Sequence, residues 1–446
     1  MKNPSAKLKE KKGIALLAAY MVLTVLAILT SAFLGRTLSQ NMAINTFKRQ
    51  TRAFNLAEAG LNRALYWFRL QGAPPTGNYV NPWNGGGAAS TLGTIGTYSV
   101  SIQDLGNPGA MPTVRRYKVT ATGTSNNINK TLINYVQTDN FARYIWFTDR
   151  ETFGGTDVWF WTQDNLNGPT HTNGHFNIYG NPVFGGEARS VDDYIEFYNN
   201  GRAIDLSATS NPPYDQPTFQ SGMIFGAEQF NMPTQALNLR TAASATGGLW
   251  LVGDTTVVLN SNGTMSVTNS AKNWNNHNMA LPTNGSLFVA CSGSKCSSGA
   301  SLTISGTLKG RLTAGSQRDM IIPNSVVYNT DPRTNPASTD TLGLISEGDI
   351  VISSSAPNNV EIDASIMALD TSFMVQNWDT ISAKGTLTVY GGIIQVDRGP
   401  VGTFNGATGH KTSGYSKAYS YDTRLLDNPP PFFPTTGDYI TLAWEE

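Results

Sequence analysis

The sequence predicts an α+β protein in which a long N-terminal helix precedes a small antiparallel sheet and a large all-β domain. Three observations lead to this prediction. Residues 13–35 form an uncharged apolar run, residues 97–138 contain three segments that alternate apolar and polar side chains, and the remainder has short apolar segments separated by glycine and asparagine. For residues 140–446 a β-solenoid and a β-sandwich both fit, and the successive short segments in 306–395 favour the solenoid.

Composition limits the number of domains and the kinds of partner. A chain of 446 residues is too long for one ordinary domain. Charged residues make up only 14% and the net charge is zero, so charge indicates no nucleic-acid partner. We therefore predict a helix over 14–72, a small sheet domain over 73–139 and a large β-rich domain over 140–446.

The apolar run is the expected membrane segment. It is long enough to cross a hydrocarbon core of about 30 Å. Four lysines lie between residues 7 and 12, so the positive-inside rule keeps the short N-terminus in the cytoplasm and exports the rest. A cleaved secretory signal is the alternative, although its apolar part is usually ~7–15 residues long. We predict a bacterial inner-membrane protein with a single pass through residues 14–35.

The helix is expected to continue as an amphipathic half over residues 36–72. An apolar residue recurs every seventh position in this half, at Phe47, Phe54, Leu61 and Phe68. The helix should end near Gly72, because two prolines follow it. Alternating segments at 97–105, 115–124 and 129–138 predict three antiparallel strands that cover this stripe.

The N-terminal residues resemble a known family. The run KKGIALLAAYMVL resembles the prepilin signal of type IV pilins and type II secretion pseudopilins, and RAFNLAEAGLNRAL is similar to the AF-x-x-AEAGL stretch of PilX-type minor pilins. The resemblance implies a leader over 1–13, cleavage between Gly13 and Ile14 by a prepilin peptidase, and N-methylation of Ile14. The apolar helix would then pack into a filament core, with the Phe47 to Phe68 stripe packing in the filament or against the head.

One position departs from the pattern of major pilins. These have a glutamate at the fifth mature position, where this chain has Ala18. That carboxylate is thought to pair with the terminal amine of a neighbouring subunit, and losing one partner of such a pair is costly. The chain therefore resembles a non-enzymatic minor pilin or pseudopilin, with a large β-domain displayed at or near the filament tip. The implied partners are other pilins or pseudopilins and an inner-membrane assembly platform.

Residues 140–446 carry a second resemblance. Segments 167–186, 342–352, 384–404 and 421–446 are similar to an uncharacterised bacterial domain that accompanies pilin-type N-termini. Two alternative functions stay open. The chain is either an exported adhesin or glycan-binding protein delivered by a pilin-type helix, or an exported β-solenoid carbohydrate-active enzyme. Exposed aromatic stripes favour the first alternative, and carboxylates converging in a groove favour the second.

Few residues suggest chemistry. Cys291 and Cys296 are the only cysteines, and such a pair in an exported protein predicts a disulfide. The weak metal candidates are His171, His175, Glu347, Asp349, Glu361 and Asp363. The histidines lie in a turn without a third ligand, and E-x-D pairs often occur by chance. We predict no catalytic residue and no cofactor, with calcium as the alternative.

An aromatic cluster near residue 150 has two interpretations. Its members are Tyr144, Trp146, Phe147, Trp159, Phe160 and Trp161. Core or interface packing is the simpler interpretation, and an exposed fraction of the rings could still bind glycans.

Overall fold

The computed structural model describes residues 5–108, 113–199, 201–203, 215–292, 296, 299–405 and 410–446. The first four residues of the predicted leader 1–13, and the side chains of its remainder, lie outside the described residues. The chain divides into two compact units. The first comprises the described parts of Met1–Asp104, Tyr117–Val136 and Thr441–Glu446, and the second those of Leu105–Arg116 and Gln137–Ile440.

Helix α1 (Ser5–Arg69) forms the N-terminal part of the first unit. At 1.5 Å per residue it is about 100 Å long. The hydroxyls in its apolar part bond within the helix, as when Thr30 Oγ1 donates to the Leu26 carbonyl at 2.7 Å. The helix ends three residues before Gly72, and the prolines beyond it prevent further helical pairing. The expected long N-terminal helix is present.

The β-strands have the following bounds. In chain order they are β1 Tyr79–Val80, β2 Ser90–Leu92, β3 Gly96–Gly106, β4 Arg116–Ser125, β5 Ile128–Asn140, β6 Trp146–Arg150, β7 Thr152–Phe153, β8 Thr156–Asp157, β9 Phe160–Trp161, β10 Asn165–Leu166, β11 Thr170–Thr172, β12 Asn177–Tyr179, β13 Val183–Phe184, β14 Ala188–Ser190, β15 Ile195–Phe197, β16 Gly201–Ala203, β17 Thr218–Phe219, β18 Met223–Ile224, β19 Leu249–Val252, β20 Thr255–Asn260, β21 Thr264–Asn269, β22 Trp274–Ala280, β23 Ser286–Ala290, β24 Leu302–Leu308, β25 Arg311–Ser316, β26 Met320–Ile322, β27 Val326–Tyr328, β28 Thr341–Ser346, β29 Ile350–Ile352, β30 Val360–Ala368, β31 Phe373–Val375, β32 Ala383–Asp397, β33 Gly402–Phe404, β34 Lys411–Ser420 and β35 Thr435–Glu445. Helix α2 (Leu237–Ser244) lies between β18 and β19.

One sheet contains the strands predicted after the helix. Its order is β1-β3-β4-β5-β35, with β2 also paired to β3. Strands β3, β4 and β5 lie where the alternation predicts them. Asn126 and Asn127 connect β4 to β5 with φ angles of 47° and 63°, the left-handed conformation that a two-residue hairpin turn requires. The sequence did not predict that the last strand of the chain joins this sheet.

The second half of α1 buries a stripe of mostly small residues. They follow helical spacing, at Ala53, Leu56, Ala57, Gly60, Leu61, Ala64 and Phe68. Of the predicted stripe, Leu61 and Phe68 are buried and Phe54 is half-buried, whereas Phe47 is 69% exposed. A seven-residue spacing drifts around a straight α-helix, so it does not stay on one buried face.

Close contact between helix and sheet explains why small residues form the buried stripe. A Cβ atom at Gly123 on β4 would lie 2.1 Å from the Ala53 carbonyl oxygen and 2.4 Å from the Ala57 nitrogen. The helix backbone therefore lies directly on the strand at this point. Further along the same contact the Phe68 and Tyr117 rings pack with their centroids 4.6 Å apart.

The second unit is built largely from parallel ladders. Strand β25 pairs with β28, β28 with β30, and β30 with β32, all parallel. A second ladder joins β26, β29 and β31, and a third joins β20, β24 and β27. Parallel stacking of successive strands is the pairing that a solenoid requires, whereas sandwiches are made of antiparallel sheets.

The ladder that contains β25, β28, β30 and β32 is here called the main ladder. Its strands do not stack in the order in which they follow one another along the chain. Strand β32 also pairs with β6, and Ile393 lies opposite Trp146. Strands β11, β14 and β18 continue the ladder from β6, while β19 pairs with β23. The ladder therefore runs β19, β23, β25, β28, β30, β32, β6, β11, β14, β18. This arrangement brings residues near 150 beside residues near 400.

Candidate functional site

The first candidate surface is the apolar anchor segment, residues 14–35 of α1. It carries no charged side chain, and its large apolar residues are exposed; Ile14 is 71%, Leu16 76% and Phe33 73% exposed. By length and composition the helix Ile14–Arg69 is able to cross a membrane. The predicted cleavage point between Gly13 and Ile14 lies within α1.

The second candidate site is a cavity of about 510 Å³ in the second unit, here called the aromatic cavity. Its volume lies in the range of roughly 300–1,000 Å³ typical of small-molecule sites. Aromatic side chains dominate its lining: Trp146, Phe153, Trp159, Trp161, Tyr179, Trp378, Phe404 and Tyr419.

Strand alternation explains why the aromatic cluster divides between core and cavity. Phe160 is 1% exposed and packs in the core, while Trp159 and Trp161 on either side of it are half-buried and line the cavity. Neighbouring residues of an extended segment point in opposite directions, so three successive aromatics serve both surfaces. The packing interpretation therefore describes Phe147 and Phe160, but not the two tryptophans.

Contacts between rings fix the lining side chains. Trp161 packs edge-on against Tyr179 at 4.6 Å between centroids, and Phe153 packs edge-on against Trp378 at 6.2 Å. Edge-to-face pairs at such distances are favourable, because the positive edge of one ring meets the negative face of the other. The walls are therefore held in place by neighbouring aromatic rings.

A buried arginine forms one wall of the cavity. The Arg398 side chain is 3% exposed, and its guanidinium lies 3.7 Å from the Phe160 ring centroid. It donates to Glu151 at 3.1 Å and to Asp164 at 3.4 Å. Both carboxylates are also buried, so the charges compensate one another away from water.

Asp164 joins this arginine to a lysine. Lys417 Nζ lies 2.5 Å from one carboxylate oxygen, and the Trp161 backbone nitrogen donates to the other at 3.0 Å. Burial by itself would raise the pKa of Asp164, but the charges of Lys417 and Arg398 lower it below its ordinary value. Burial lowers the pKa of Lys417. The carboxylate therefore stays ionised and paired at neutral pH.

The two candidate histidines make ordinary contacts. His171 is fully buried, stacks on Phe147 with ring centroids 4.9 Å apart, and shares a hydrogen bond with Asn173. Burial lowers the pKa of His171 to about 4, so the imidazole is neutral. His175 Nδ1 lies 2.9 Å from an Asp192 oxygen. Among the described residues no group of three His, Cys, Asp or Glu side chains is placed to hold a metal.

The four candidate carboxylates are engaged by donors of the protein. Arg240 binds Glu347, and the Ser372 backbone nitrogen donates to Asp349 at 2.8 Å.

Glu361 and Asp363 share the guanidinium of Arg333, at 2.7 and 3.6 Å. Burial raises the pKa of Asp363 to about 6. This pair therefore converges on Arg333, whereas Glu347 and Asp349 bind separate donors.

The cysteine pair lies after β23. The structure joins Cys291 to Cys296 by a disulfide, with their Cα atoms 5.5 Å apart. Residues 293–295 of the loop between them lie outside the described residues. That this part of the chain is exported to an oxidising compartment, where such a bond persists, stays a prediction.

Several cavity residues were missed by the sequence analysis. Trp378, Arg398, Lys417 and Tyr419 belong to no recognisable motif and lie more than 200 residues after the aromatic cluster. They meet the cluster only in the folded chain, where β32 pairs with β6 and where Arg398 and Lys417 bind Asp164. No local pattern of the sequence indicates these contacts. The sequence offers only the presence of Trp378, Arg398 and Lys417 in a chain with few charges, and this is too weak a signal to predict a site.

The chain has limited similarity to known proteins. The family model "Domain of unknown function (DUF4900)" matches residues 113–193, a shorter range than the predicted resemblance over most of 140–446. No curated protein matches the chain. Among solved structures, it is similar to the crystal structure of competence-associated pilin ComZ from Thermus thermophilus. The identity is 12% and the TM-score 0.33, over 89% of this chain and 97% of that chain.

Proposed function

We propose that the protein is a non-enzymatic minor pilin or pseudopilin-like subunit of a bacterial type IV filament system. The two-part character of α1 carries this proposal. Residues 14–35 are uncharged and exposed, whereas the segment from Ala53 to Phe68 is covered by the small sheet. One long helix with an uncovered apolar half and a sheet-covered half suits a subunit that is first anchored in lipid and then packed among similar helices.

Assembly is the proposed mechanism. An exposed apolar helix must be covered by lipid or by protein. Close packing between helices favours the exchange of lipid contacts for protein contacts. The partners are the bilayer through residues 14–35, a prepilin peptidase that cleaves before Ile14, an inner-membrane assembly platform, and other pilins. Ala18 offers no carboxylate to a neighbouring amine, which suits a minor subunit better than a repeating one.

The second unit is proposed to be a β-solenoid displayed at or near the filament tip. Its parallel ladders support the solenoid, and its bulk suits a position that is not repeated along a shaft. The enzymatic alternative has less support, because Glu347, Glu361 and Asp363 bind arginines of the chain itself. Asp349 likewise accepts a backbone hydrogen bond from Ser372. The glycan-binding alternative has a specific observation in its favour, the aromatic cavity.

N-terminal mass analysis of the protein purified from its native membranes tests the filament proposal. The expected mature chain begins with N-methylated Ile14. The Gly13→Leu variant should keep its leader, because it places a bulky side chain at the cleavage point. The matched control Gly35→Leu, at a glycine with open space around its Cβ position, should be processed normally. A chain that begins beyond residue 30, or one that keeps Met1, would contradict the proposal.

A further inference from the structure

We propose that the aromatic cavity is a binding site for a neutral saccharide. All of its lining residues belong to the second unit, so this inference stands whether or not the chain assembles into a filament. Its basis is the shape of the cavity, the nature of its walls and the compensation of its charges.

The shape of the cavity and the chemistry of its walls suit a saccharide. The cavity is concave and large enough for a small ligand, and its tryptophans and tyrosines are half-buried except Trp146, which is 4% exposed. Half-buried aromatic rings offer apolar surface to an occupant. A pyranose ring presents one apolar face of C–H bonds, which packs against such rings, and carries its hydroxyl groups around the edge.

Polar side chains are available for those hydroxyl groups. Thr156, Asp157 and Gln163 line the cavity and are exposed. They supply hydroxyl, carboxylate and amide groups, that is, both donors and acceptors. Because these side chains are exposed, water can hydrogen-bond to them. The hydroxyl groups of a saccharide can replace that water with direct hydrogen bonds, which a wholly apolar ligand cannot do.

Charge compensation indicates that the ligand is neutral. The charged lining residues are two acids, Asp157 and Asp164, and two bases, Arg398 and Lys417. Asp164 binds both bases, and Arg398 also binds Glu151. Glu151 and Asp164 therefore compensate Arg398 and Lys417. Asp157, the remaining charged lining residue, is exposed. A cationic ligand would compete with the two bases for these carboxylates, and an anionic ligand would compete with the carboxylates for the bases. An uncharged ligand leaves the existing ion pairs intact.

Saturation-transfer NMR on the full chain tests this proposal. The chain is held in a detergent whose headgroup carries no sugar, and the probes are maltotriose, cellotriose and the trimer of N-acetylglucosamine. At least one probe should receive saturation, most strongly at ring C–H protons. Trp159→Ala and Trp378→Ala should each weaken binding about tenfold, since each removes apolar contact area. Trp378→Phe should keep most of the affinity.

The matched control is Trp274→Ala. Trp274 is a half-buried tryptophan of the same unit that does not line the cavity. The Trp274→Ala variant should therefore bind the saccharide as the unchanged chain does. Trp274→Ala shows whether loss of a tryptophan outside the cavity affects binding through folding. Trp378→Phe shows whether an aromatic ring at position 378 is enough to keep binding.

Three results would overturn the proposal. The first is that none of the three trisaccharides receives saturation. The second is that the unchanged chain and Trp378→Ala bind equally well. The third is that the chain prefers tetramethylammonium, a glucuronate trimer or a tyrosine-containing tripeptide to the trisaccharides.

Discussion

Arg398 is a cation enclosed by aromatic rings and two carboxylates, and it provides the first prediction. Its guanidinium binds Glu151 and Asp164, which are both buried. Arg398→Met keeps much of the side-chain volume but removes the charge, so both carboxylates lose a partner. We expect a loss of about 3–5 kcal/mol in the free energy of unfolding of the second unit, the usual cost of breaking a buried pair. Chemical denaturation followed by tryptophan fluorescence measures it.

Arg150→Met is the control for this prediction. Arg150 also pairs with an acid, Asp397 at 2.6 Å, but its side chain is 56% exposed. An exposed pair contributes less than about 1 kcal/mol, because water and salt screen it. Equal losses in the two variants would show that burial does not determine the strength of the Arg398 pairs.

His171 predicts a pH dependence of stability. The folded protein lowers the pKa of this imidazole from 6.5 to about 4 because the ring is buried, so folding favours the neutral form. The stability that depends on neutral His171 is fully present above pH 6.5 and is lost as the pH falls towards 4. The full effect is about 3 kcal/mol, at 1.36 kcal/mol per pKa unit. Denaturation curves at several pH values between 7 and 4 measure it.

A pair of variants assigns this dependence to one residue. His171→Gln removes the titrating group, so between pH 7 and pH 4 it should lose about 3 kcal/mol less stability than the unchanged chain, at 1.36 kcal/mol per pKa unit. Asp363, whose pKa is raised to about 6, contributes a slope of opposite sign in both chains, so the quantity to compare is the difference between them. His277→Gln changes an exposed histidine of the same unit and should keep the pH dependence of the unchanged chain. If the unchanged chain and His171→Gln differ in stability by the same amount at pH 7 and at pH 4, the assignment to His171 is refuted.

Single residues also show what sequence patterns can and cannot predict. The aromatic cluster near residue 150 was recognised, and strand alternation explains its division between core and cavity. Arg398 and Lys417 were not recognised, because a buried ion pair over more than 230 residues of sequence leaves no periodic signal. Periodicity reports on neighbours along one element, whereas a site is defined by neighbours in space.

The contact between α1 and β4 gives the prediction at the scale of elements. A Cβ atom at Gly123 would lie within 2.4 Å of backbone atoms of Ala53 and Ala57, and a backbone cannot rotate away as a side chain can. Gly123→Ala should therefore separate helix from strand and destabilise the first unit by about 1–3 kcal/mol, the usual cost of overpacking. Hydrogen–deuterium exchange of β3 and β4 measures this loss as faster exchange.

Gly72→Ala is the matched control for the helix contact. A Cβ atom there would meet nothing within 4 Å, so the exchange of β3 and β4 should not change. If Gly123→Ala also leaves the exchange unchanged, the helix does not lie against the strand as closely as the structure has it.

Elements were predictable to the extent that their signals are local. The apolar run and the alternating segments each lie within a short window, and the corresponding helix and strands are present. The pairing of β35 with β5 and of β32 with β6 depends on segments hundreds of residues apart. Several alternating segments of similar length satisfy such pairings equally well in the sequence, so only the folded chain distinguishes them.

At the scale of the whole molecule, the long-range pairings bear on how the chain folds. The first strand of the main ladder to be synthesised, β6, pairs with β32, which follows it by more than 230 residues. Strands β6, β11, β14 and β18 therefore cannot join the rest of the main ladder until β32 has been synthesised, when most of the chain is available. Folding dominated by such distant contacts is slow, because loop closure costs entropy before the contacts form.

The final prediction concerns how the molecule partitions between water and detergent. Residues 14–35 expose a continuous apolar surface, and the other described parts of the chain bury their large apolar side chains for the most part. In a two-phase detergent extraction the full chain should enter the detergent phase, and a chain of residues 36–446 should stay in the aqueous phase. Burying this surface removes apolar area from water at about 25 cal/mol per Å². The control, residues 13–446, lacks the basic leader but keeps the apolar segment, so it should still enter detergent. A 36–446 chain that also enters the detergent phase would show that another apolar surface contributes to membrane association.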